Sequence, residues 1–276
     1  MNIFRSNILN VYGERGKEWL NELPQLVNDI AAKLTLTELK PVDNLSFNYV
    51  ASGFQGKRPV ILKAALDTDA LKKEALALWC FEDYGAVKVI AEENGFLLLE
   101  RAIPGISLKS HLPDQTTNSV AIACKMMQRL HQAPIPAEHN FPHIKDWLAT
   151  LDKDWDMPLA YLQKARHLRD QLLPKHKQQV LLHGDLHHDN ILQNQDEWVV
   201  IDPKGVIGSP INEIWAFVID LERDTEFIAQ FFGFNLSEVR DWYFVHIILA
   251  TCWNLEDNID PSFFLKLAAK ALHLTS

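Results

Sequence analysis

The sequence predicts an α+β fold in two unequal lobes, a sheet-rich first lobe and a mainly helical second one. Three observations carry that expectation. Short β-like runs separated by turn residues are confined to residues 1–100, and apolar spacings of three and four dominate afterwards. A single β-like island, residues 180–202, interrupts the helical half.

Taken in order, Trp19, Leu20, Leu23, Leu26, Val27, Ile30, Ala31 and Leu34 recur at helical spacing and predict a helix over 16–34, kinked or divided at Pro24. β-like runs follow at 36–42, 47–52 and 59–65, the last two joined by a turn at 52–57 that contains Gly53 and Gly56. A helix is expected over 69–81, capped by Asp67 or Thr68. Two more strands, 87–92 and 96–100, flank the turn Glu93-Asn94-Gly95. Pro104 and Gly105 then punctuate a connector. The expected division is therefore a first lobe over 1–100, a hinge over 101–106 and a second lobe over 107–276. In the second lobe the periodicity predicts helices over 118–132, 143–173, 212–221, 225–232 and 237–274.

Composition narrows the function. The 276 residues carry 27 Lys and Arg against 36 Asp and Glu, a net charge of −9. Nucleic-acid binding needs a basic stripe, so the expected partner is a small, cationic molecule rather than nucleic acid. Cys80, Cys124 and Cys252 are scattered, giving neither a disulfide framework nor metal-ligand spacing, which fits a reducing cytoplasm. No apolar leader is evident at the start, and the most apolar stretch, 242–253, is too short to span a bilayer and carries His246. A cytoplasmic protein without a membrane partner, a monomer or weak dimer, is the expectation.

The chemistry concentrates in the β-like island. It reads Val-Leu-Leu-His183-Gly-Asp185-Leu-His-His-Asp-Asn190-Ile-Leu, and after a turn Trp198-Val-Val-Ile-Asp202-Pro-Lys-Gly205. Apolar runs place His183 and Asp202 at the ends of buried strands, where polar side chains emerge from a rigid backbone. Phosphoryl transfer needs a carboxylate to orient the attacking hydroxyl and take its proton, and oxygen ligands to hold Mg²⁺ against the ATP phosphates. Asp185 suits the first task; Asn190 and Asp202 suit the second. The spacing H-x-D-x-x-x-x-N followed by an Asp-containing, Gly-ended turn is that of a kinase catalytic loop. A polar turn with no catalytic role and a zinc site on His183, His187 and His188 are the rival readings; no cysteine or H-E-x-x-H helix stands nearby to favour zinc. His183 reads as structural rather than as a proton carrier.

A second constellation lies in the first lobe. Lys63 ends a strand and Glu74 follows on the next helix, the order required for a lysine that neutralises ATP phosphates and a glutamate that holds it; Glu82, at the helix end, is a poorer partner. Neither G-x-G-x-x-G nor the Walker pattern G-x-x-x-x-G-K-[ST] occurs; Asn44-Leu-Ser-Phe-Asn-Tyr stands where a phosphate loop would be.

From about residue 62 to residue 257 the chain resembles the aminoglycoside phosphotransferases. His183-Gly-Asp-Leu-His-His-Asp-Asn-Ile-Leu, Ile201-Asp-Pro-Lys-Gly and Gly208-Ser-Pro-Ile-Asn-Glu213 are similar to the streptomycin 6-phosphotransferase branch, which is grouped with hydroxyurea-resistance kinases. The resemblance implies a protein-kinase-like two-lobed fold, ATP and Mg²⁺ as cofactors, and transfer of the γ-phosphoryl group to a hydroxyl of a streptomycin-like molecule. It also implies that a short serine-containing loop, with Ser46 or Asn48, faces the phosphates. Leu97-Leu-Leu-Glu100-Arg101-Ala102 resembles the hinge, where Glu100 and Ala102 would read adenine through their backbones. Glu213, Asp220, Glu222, Asp224, Glu256 and Asp257 are candidate carboxylates for a cationic substrate, and Glu213 could equally cap or brace the catalytic loop. Trp253-Asn-Leu-Glu256-Asp257 resembles a segment of the streptomycin branch and favours the last two. Lys204 could add positive charge near the γ-phosphate. One departure is Ser209, which stands where many wider relatives carry an acid, so the bracing of the loop is left open. Choline, fructosamine or methylthioribose kinases, and a nucleotide-binding pseudokinase, remain alternatives.

Overall fold

Helix α1, Asn2–Leu34, begins well before the predicted start and consists of two helical stretches joined at Gly13, whose φ of 57° is left-handed. The computed structural model describes residues 2–43, 45–112, 114 and 116–276; Asn44, in the expected phosphate-facing segment, lies outside them. The extra stretch exists because Phe4 and Ile8, four residues apart, bury one stripe, with Phe4 meeting Trp19 edge-on at 6.1 Å. Apolar Ile3, Leu9 and Val11 stand beside them but stay exposed, so the sequence shows no clean helical stripe there.

The first lobe is a five-stranded antiparallel sheet in the order β1-β2-β3-β5-β4, formed by β1 (Leu36–Pro41), β2 (Tyr49–Gln55), β3 (Arg58–Ala64), β4 (Val89–Glu93) and β5 (Phe96–Glu100). The β2–β3 turn is shorter than predicted. Gln55 pairs with Arg58, so only Gly56 and Lys57 turn the chain, and Gly56 at φ 61° permits the tight connection. Helix α2, Thr68–Phe81, starts at Asp67, whose carboxylate accepts the Ala70 N–H at 2.9 Å.

Apolar packing does not divide at the same place as the chain. One core cluster joins α1 to one sheet face through Ile8, Leu20, Leu62 and Leu98. Helix α2 instead contributes Leu71, Leu78 and Phe81 to the larger core of the second lobe. At about 1.5–3 kcal/mol for each large apolar side chain buried, α2 is bound firmly to that core, and Glu74 rides on it.

The second lobe opens with β6 (Pro104–Ser107), which joins β8 (Ile191–Asn194) and β9 (Glu197–Val200) in one sheet, while β7 (Val180–Leu182) pairs with β10 (Val206–Gly208). Its helices are α3 (Thr116–Leu130), α4 (Ile144–Leu148), α5 (Leu159–Leu172), α6 (Leu221–Phe232), α7 (Leu236–Glu256) and α8 (Ser262–Ala271). The helix predicted over 143–173 is interrupted between α4 and α5, where Pro158 leaves no N–H for a continuous ladder. The one predicted over 237–274 breaks at Asn258 (φ 56°) and Pro261. The segment predicted as a helix over 212–221 is a tight 3₁₀ stretch, Pro210–Phe217, and α6 starts earlier than predicted because Asp220 caps it by accepting the Arg223 N–H at 3.1 Å. Helix α7 buries every residue from Trp242 to Cys252, so its unbroken apolarity reflects a central place in the core. No described helix is long and apolar enough to cross a membrane.

Candidate active site

His183 leaves the buried strand β7 and fixes the following loop through both ring nitrogens. Its Nε2–H donates to the Ile201 carbonyl at 2.9 Å, and its Nδ1 accepts the Asp185 N–H at 3.2 Å. Those two bonds require the neutral ring, and complete burial depresses its pKa in the same direction. The loop is held from below by Glu213, whose carboxylate accepts the N–H of His183 at 2.7 Å and of Gly184 at 2.8 Å. His131 Nε2 stands 3.3 Å from the same group. Burial pushes the Glu213 pKa up, but His131, His183 and the Gly184 N–H outweigh it, and the net direction is down. Of the two readings of Glu213, substrate carboxylate or loop brace, the structure places it buried under the loop as a brace. The acid missing at Ser209 is supplied from within the adjoining 3₁₀ stretch.

Asn190 turns back across the loop, its Nδ2 donating to the Asp185 carbonyl at 2.9 Å. That bond leaves its Oδ1 for a cation. Asp202 sits at φ 59°, a left-handed conformation that aspartate tolerates, and its Oδ1 meets Lys63 Nζ at 3.1 Å. Lys63 Nζ also bonds Glu74 Oε2 at 2.6 Å. Burial opposes the ammonium charge, yet the two carboxylates overcome it and raise the Lys63 pKa. The contact ties the two lobes together through an ion triad in which Lys63 and Glu74 are buried and Asp202 opens to the cleft. Asn190 Oδ1 and the second oxygen of Asp202 are hard donors of the kind Mg²⁺ takes, with phosphate oxygens and water completing such a shell.

These groups face one cleft of about 690 Å³, a volume suited to a nucleotide. Ser46, Asn48, Lys63, Asp185, Asn190, Asp202 and Lys204 all line it. Val50, Ile61 and Leu99 from the first lobe oppose Leu192 and Ile201 from the second, forming apolar walls that could sandwich a flat ring. Glu100 and Ala102 lie at its back, and the Ala102 N–H has no partner among the described residues. Ser46 is exposed, and its carbonyl accepts Asn7 Nδ2 at 3.2 Å, which anchors this edge of the cleft to α1. Glu74 does not reach the cleft wall; it stands behind Lys63.

Other candidates lie elsewhere. Glu256 pairs with Lys153 at 2.9 Å, and Glu256 and Asp257, both exposed, are outside the cleft lining. They follow Trp253, which packs edge-on against Trp147 at 5.5 Å, and Trp147 in turn lies against Gly184. The acidic pair is thus connected to the loop through two aromatic rings. Asp224 is buried and accepts the N–H groups of Ile219 and Asp220, while Asp220 caps α6. No described His, Cys, Asp and Glu side chains gather as a metal site, and His183 is committed at both nitrogens, so the zinc arrangement is not formed.

Gly205 closes the segment after Asp202. Its φ is 63°, and a Cβ there would stand 2.5 Å from Phe141 Cε1. Replacing Gly205 by alanine is expected to destabilise the protein by about 2–4 kcal/mol, from left-handed strain plus overpacking. Urea unfolding of the variant beside the wild type measures that loss.

A family model described as aminoglycoside/hydroxyurea antibiotic resistance kinase matches residues 43–257. The chain belongs to this family. The kinase is 32% identical to a streptomycin 3''-kinase of Klebsiella pneumoniae over 156 residues, covering 56% of this chain and 58% of that protein. It is 23% identical to a streptomycin 6-kinase of Streptomyces glaucescens over a 287-position alignment, with 91% of this chain and 90% of the relative covered. Among solved structures, the choline kinase LicA from Streptococcus pneumoniae shares the fold with a TM-score of 0.69 at 15% identity, covering 91% of the kinase and 99% of LicA. A thermostable mutant of aminoglycoside phosphotransferase APH(4)-Ia, in ternary complex with ADP and hygromycin B, gives 0.67 at 13% identity, covering 90% and 95%. The kinase therefore has the protein-kinase-like two-lobed fold, with a sheet-rich lobe over a helical one.

Proposed function

We propose that this kinase transfers the γ-phosphoryl group of ATP to a hydroxyl of a streptomycin-like aminoglycoside. The observation that carries the reading is the convergence of Asp185, Asn190, Asp202 and Lys63 on one nucleotide-sized cleft. The two streptomycin 6-kinases aligned over nine-tenths of the chain support the substrate class.

Asp185 accepts the proton of the attacking hydroxyl and keeps its oxygen directed at the phosphorus. Asn190 and Asp202 hold Mg²⁺, which when bound supplies positive charge to the phosphate oxygens. Lys63, kept in place by Glu74, adds its own charge to the phosphates, and Lys204 extends that field at the cleft's second-lobe edge. The apolar walls and the free Ala102 N–H receive adenine, with Glu100 beside it, and Ser46 and Asn48 close over the phosphates. On the acceptor side, Glu256 and Asp257 form an acidic approach to the loop through Trp253 and Trp147, suited to guanidinium and ammonium groups.

The Lys63 assignment has its own test. Lys63→Met keeps the length of the side chain but removes the charge. It is expected to lower kcat/KM for ATP by about 10²-fold or more, since an interaction with phosphate charge is lost in a site largely shielded from water. Steady-state kinetics at varied ATP concentration measure this, and unchanged kcat/KM would remove Lys63 from the phosphate site.

The substrate is tested by ADP release over a panel of aminoglycosides, choline, fructosamine and methylthioribose, with mass spectrometry for one added phosphoryl group. Phosphorylated streptomycin is the expected product. Phosphorylation of another compound with streptomycin untouched would overturn the substrate and leave the kinase chemistry standing.

A further inference from the structure

The turn between Asp185 and Asn190 sends its two histidines opposite ways. His188 is buried, whereas His187 lines the interlobe cleft beside Asp185. The turn is closed by backbone bonds: the His187 N–H donates to the Asp185 carbonyl at 3.0 Å, and the Asn190 N–H donates to the His187 carbonyl at 2.9 Å. The place of His187 relative to Asp185 is therefore set by the chain itself.

The backbone of Asp185 is held, but its carboxylate is not. No described donor hydrogen-bonds to either carboxylate oxygen, and the group that faces Oδ1 is His187 Nε2, at 3.7 Å. A carboxylate turns readily about its last torsion unless a donor fixes it, and a general base works only where its lone pair meets the proton it removes. The His187 ring, by contrast, is fixed. Its Nδ1 accepts the Asp189 N–H at 3.2 Å, which places the ring proton on Nε2, the nitrogen that faces the aspartate. Asp189 is in turn tied to Lys109 Nζ at 2.8 Å. The Nε2–H of His187 has no hydrogen-bond acceptor among the described residues. A separation of 3.7 Å exceeds a hydrogen bond; bonds of this kind are often long before the substrate binds and tighten in the complex.

We propose that His187 is a positioning residue for the general base: its Nε2–H donates to Asp185 Oδ1 once the acceptor is bound and leaves the other carboxylate oxygen aimed at the attacking hydroxyl. This role rests on Asp185 being the base, and it holds for whichever alcohol is phosphorylated. It needs no charge on the imidazole and no contact between the ring and either substrate.

Two substitutions divide the functions of the ring. His187→Asn places an amide oxygen where Nδ1 stands, so it keeps an acceptor for the Asp189 N–H and loses the donor at Nε2. His187→Gln reaches as far as Nε2, so it keeps a donor toward Asp185 and loses the acceptor. With the alcohol that the panel identifies, His187→Asn should lower kcat about 10- to 100-fold, the loss expected of a misplaced reacting group, with KM for ATP within about twofold of wild type. His187→Gln should recover kcat to within about threefold. The reverse order, Asn active and Gln impaired, would mean that the ring only caps the turn, and equal rates in the two variants, whether intact or impaired, would also overturn the proposal. Single-turnover rates in the Asp185→Asn background supply the second measurement. Adding His187→Asn there should cost less than about threefold, because a residue acting through the carboxylate has nothing left to position. A full second loss would show that His187 acts on phosphate or acceptor directly and would overturn the proposal. Failure of His187 alone leaves Asp185→Asn inactive, whereas wild-type turnover in Asp185→Asn would remove the base and the role of His187 with it.

Discussion

Asparagine at position 185 is expected to reduce turnover by about 10³-fold while leaving the protein folded, because general-base catalysis contributes about 10²–10⁴. The expectation of an intact fold follows from how the residue is held. The backbone of Asp185 carries the loop's bonds, its N–H to His183 and its carbonyl from Asn190, and both survive the substitution. The side chain itself is 35% exposed and has His187 Nε2 at 3.7 Å. Loss of the carboxylate therefore removes the proton acceptor and little else, and stability should stay within about 0.5 kcal/mol of wild type. Single-turnover kinetics with a thermal melt separate the two quantities. Wild-type turnover in Asp185→Asn would remove the proposed base.

The second large effect concerns Glu213. Glu213→Ala leaves the His183 and Gly184 N–H groups buried without an acceptor and takes the carboxylate from His131, a loss of about 3–5 kcal/mol. Turnover should fall with it, since the loop bearing Asp185 loses its anchor. Glu213→Gln keeps one acceptor oxygen but turns an amide nitrogen toward donors, and it carries no charge for His131. The pH dependence distinguishes charge from shape. The folded Glu213 pKa is lowered, so its contribution is fully present above the ordinary glutamate range near ~4.3 and is lost as pH falls through the lower folded value. The stability gap between wild type and Glu213→Gln should accordingly be widest at neutral pH and close in acid. Urea unfolding across pH 3–8 reads it, on the approximate scale set by glutamate titration; a gap independent of pH would mean that packing, not charge, makes Glu213 important.

Sequence patterns fared unevenly across the fold. The first-lobe strands were visible because β-branched and apolar runs alternate with glycine-bearing turns, and the observed strands lie close to the expected ranges. The long helices of the second lobe were over-extended, since apolar periodicity runs on through Pro158 and Pro261 where the backbone cannot. The first helical stretch was missed because the buried stripe of Phe4 and Ile8 is blurred by the exposed apolar residues Ile3, Leu9 and Val11. At the cleft, Lys63, Asp185, Asn190 and Asp202 were legible because local geometry fixes their spacing within a strand end and a tight loop. His131 was not, because nothing near it in the chain announces a partner 82 residues away.

By itself the sequence determined the chemistry available: the loop H-x-D-x-x-x-x-N, the aspartate beyond it and the strand-end lysine, each set by short-range backbone geometry. Only the tertiary structure decided that Glu213 lies beneath the loop and that α2 carries Glu74 into the second lobe's core. Those facts depend on which distant surfaces exclude water together, and a one-dimensional pattern records the apolar character of a surface without naming the surface that will cover it.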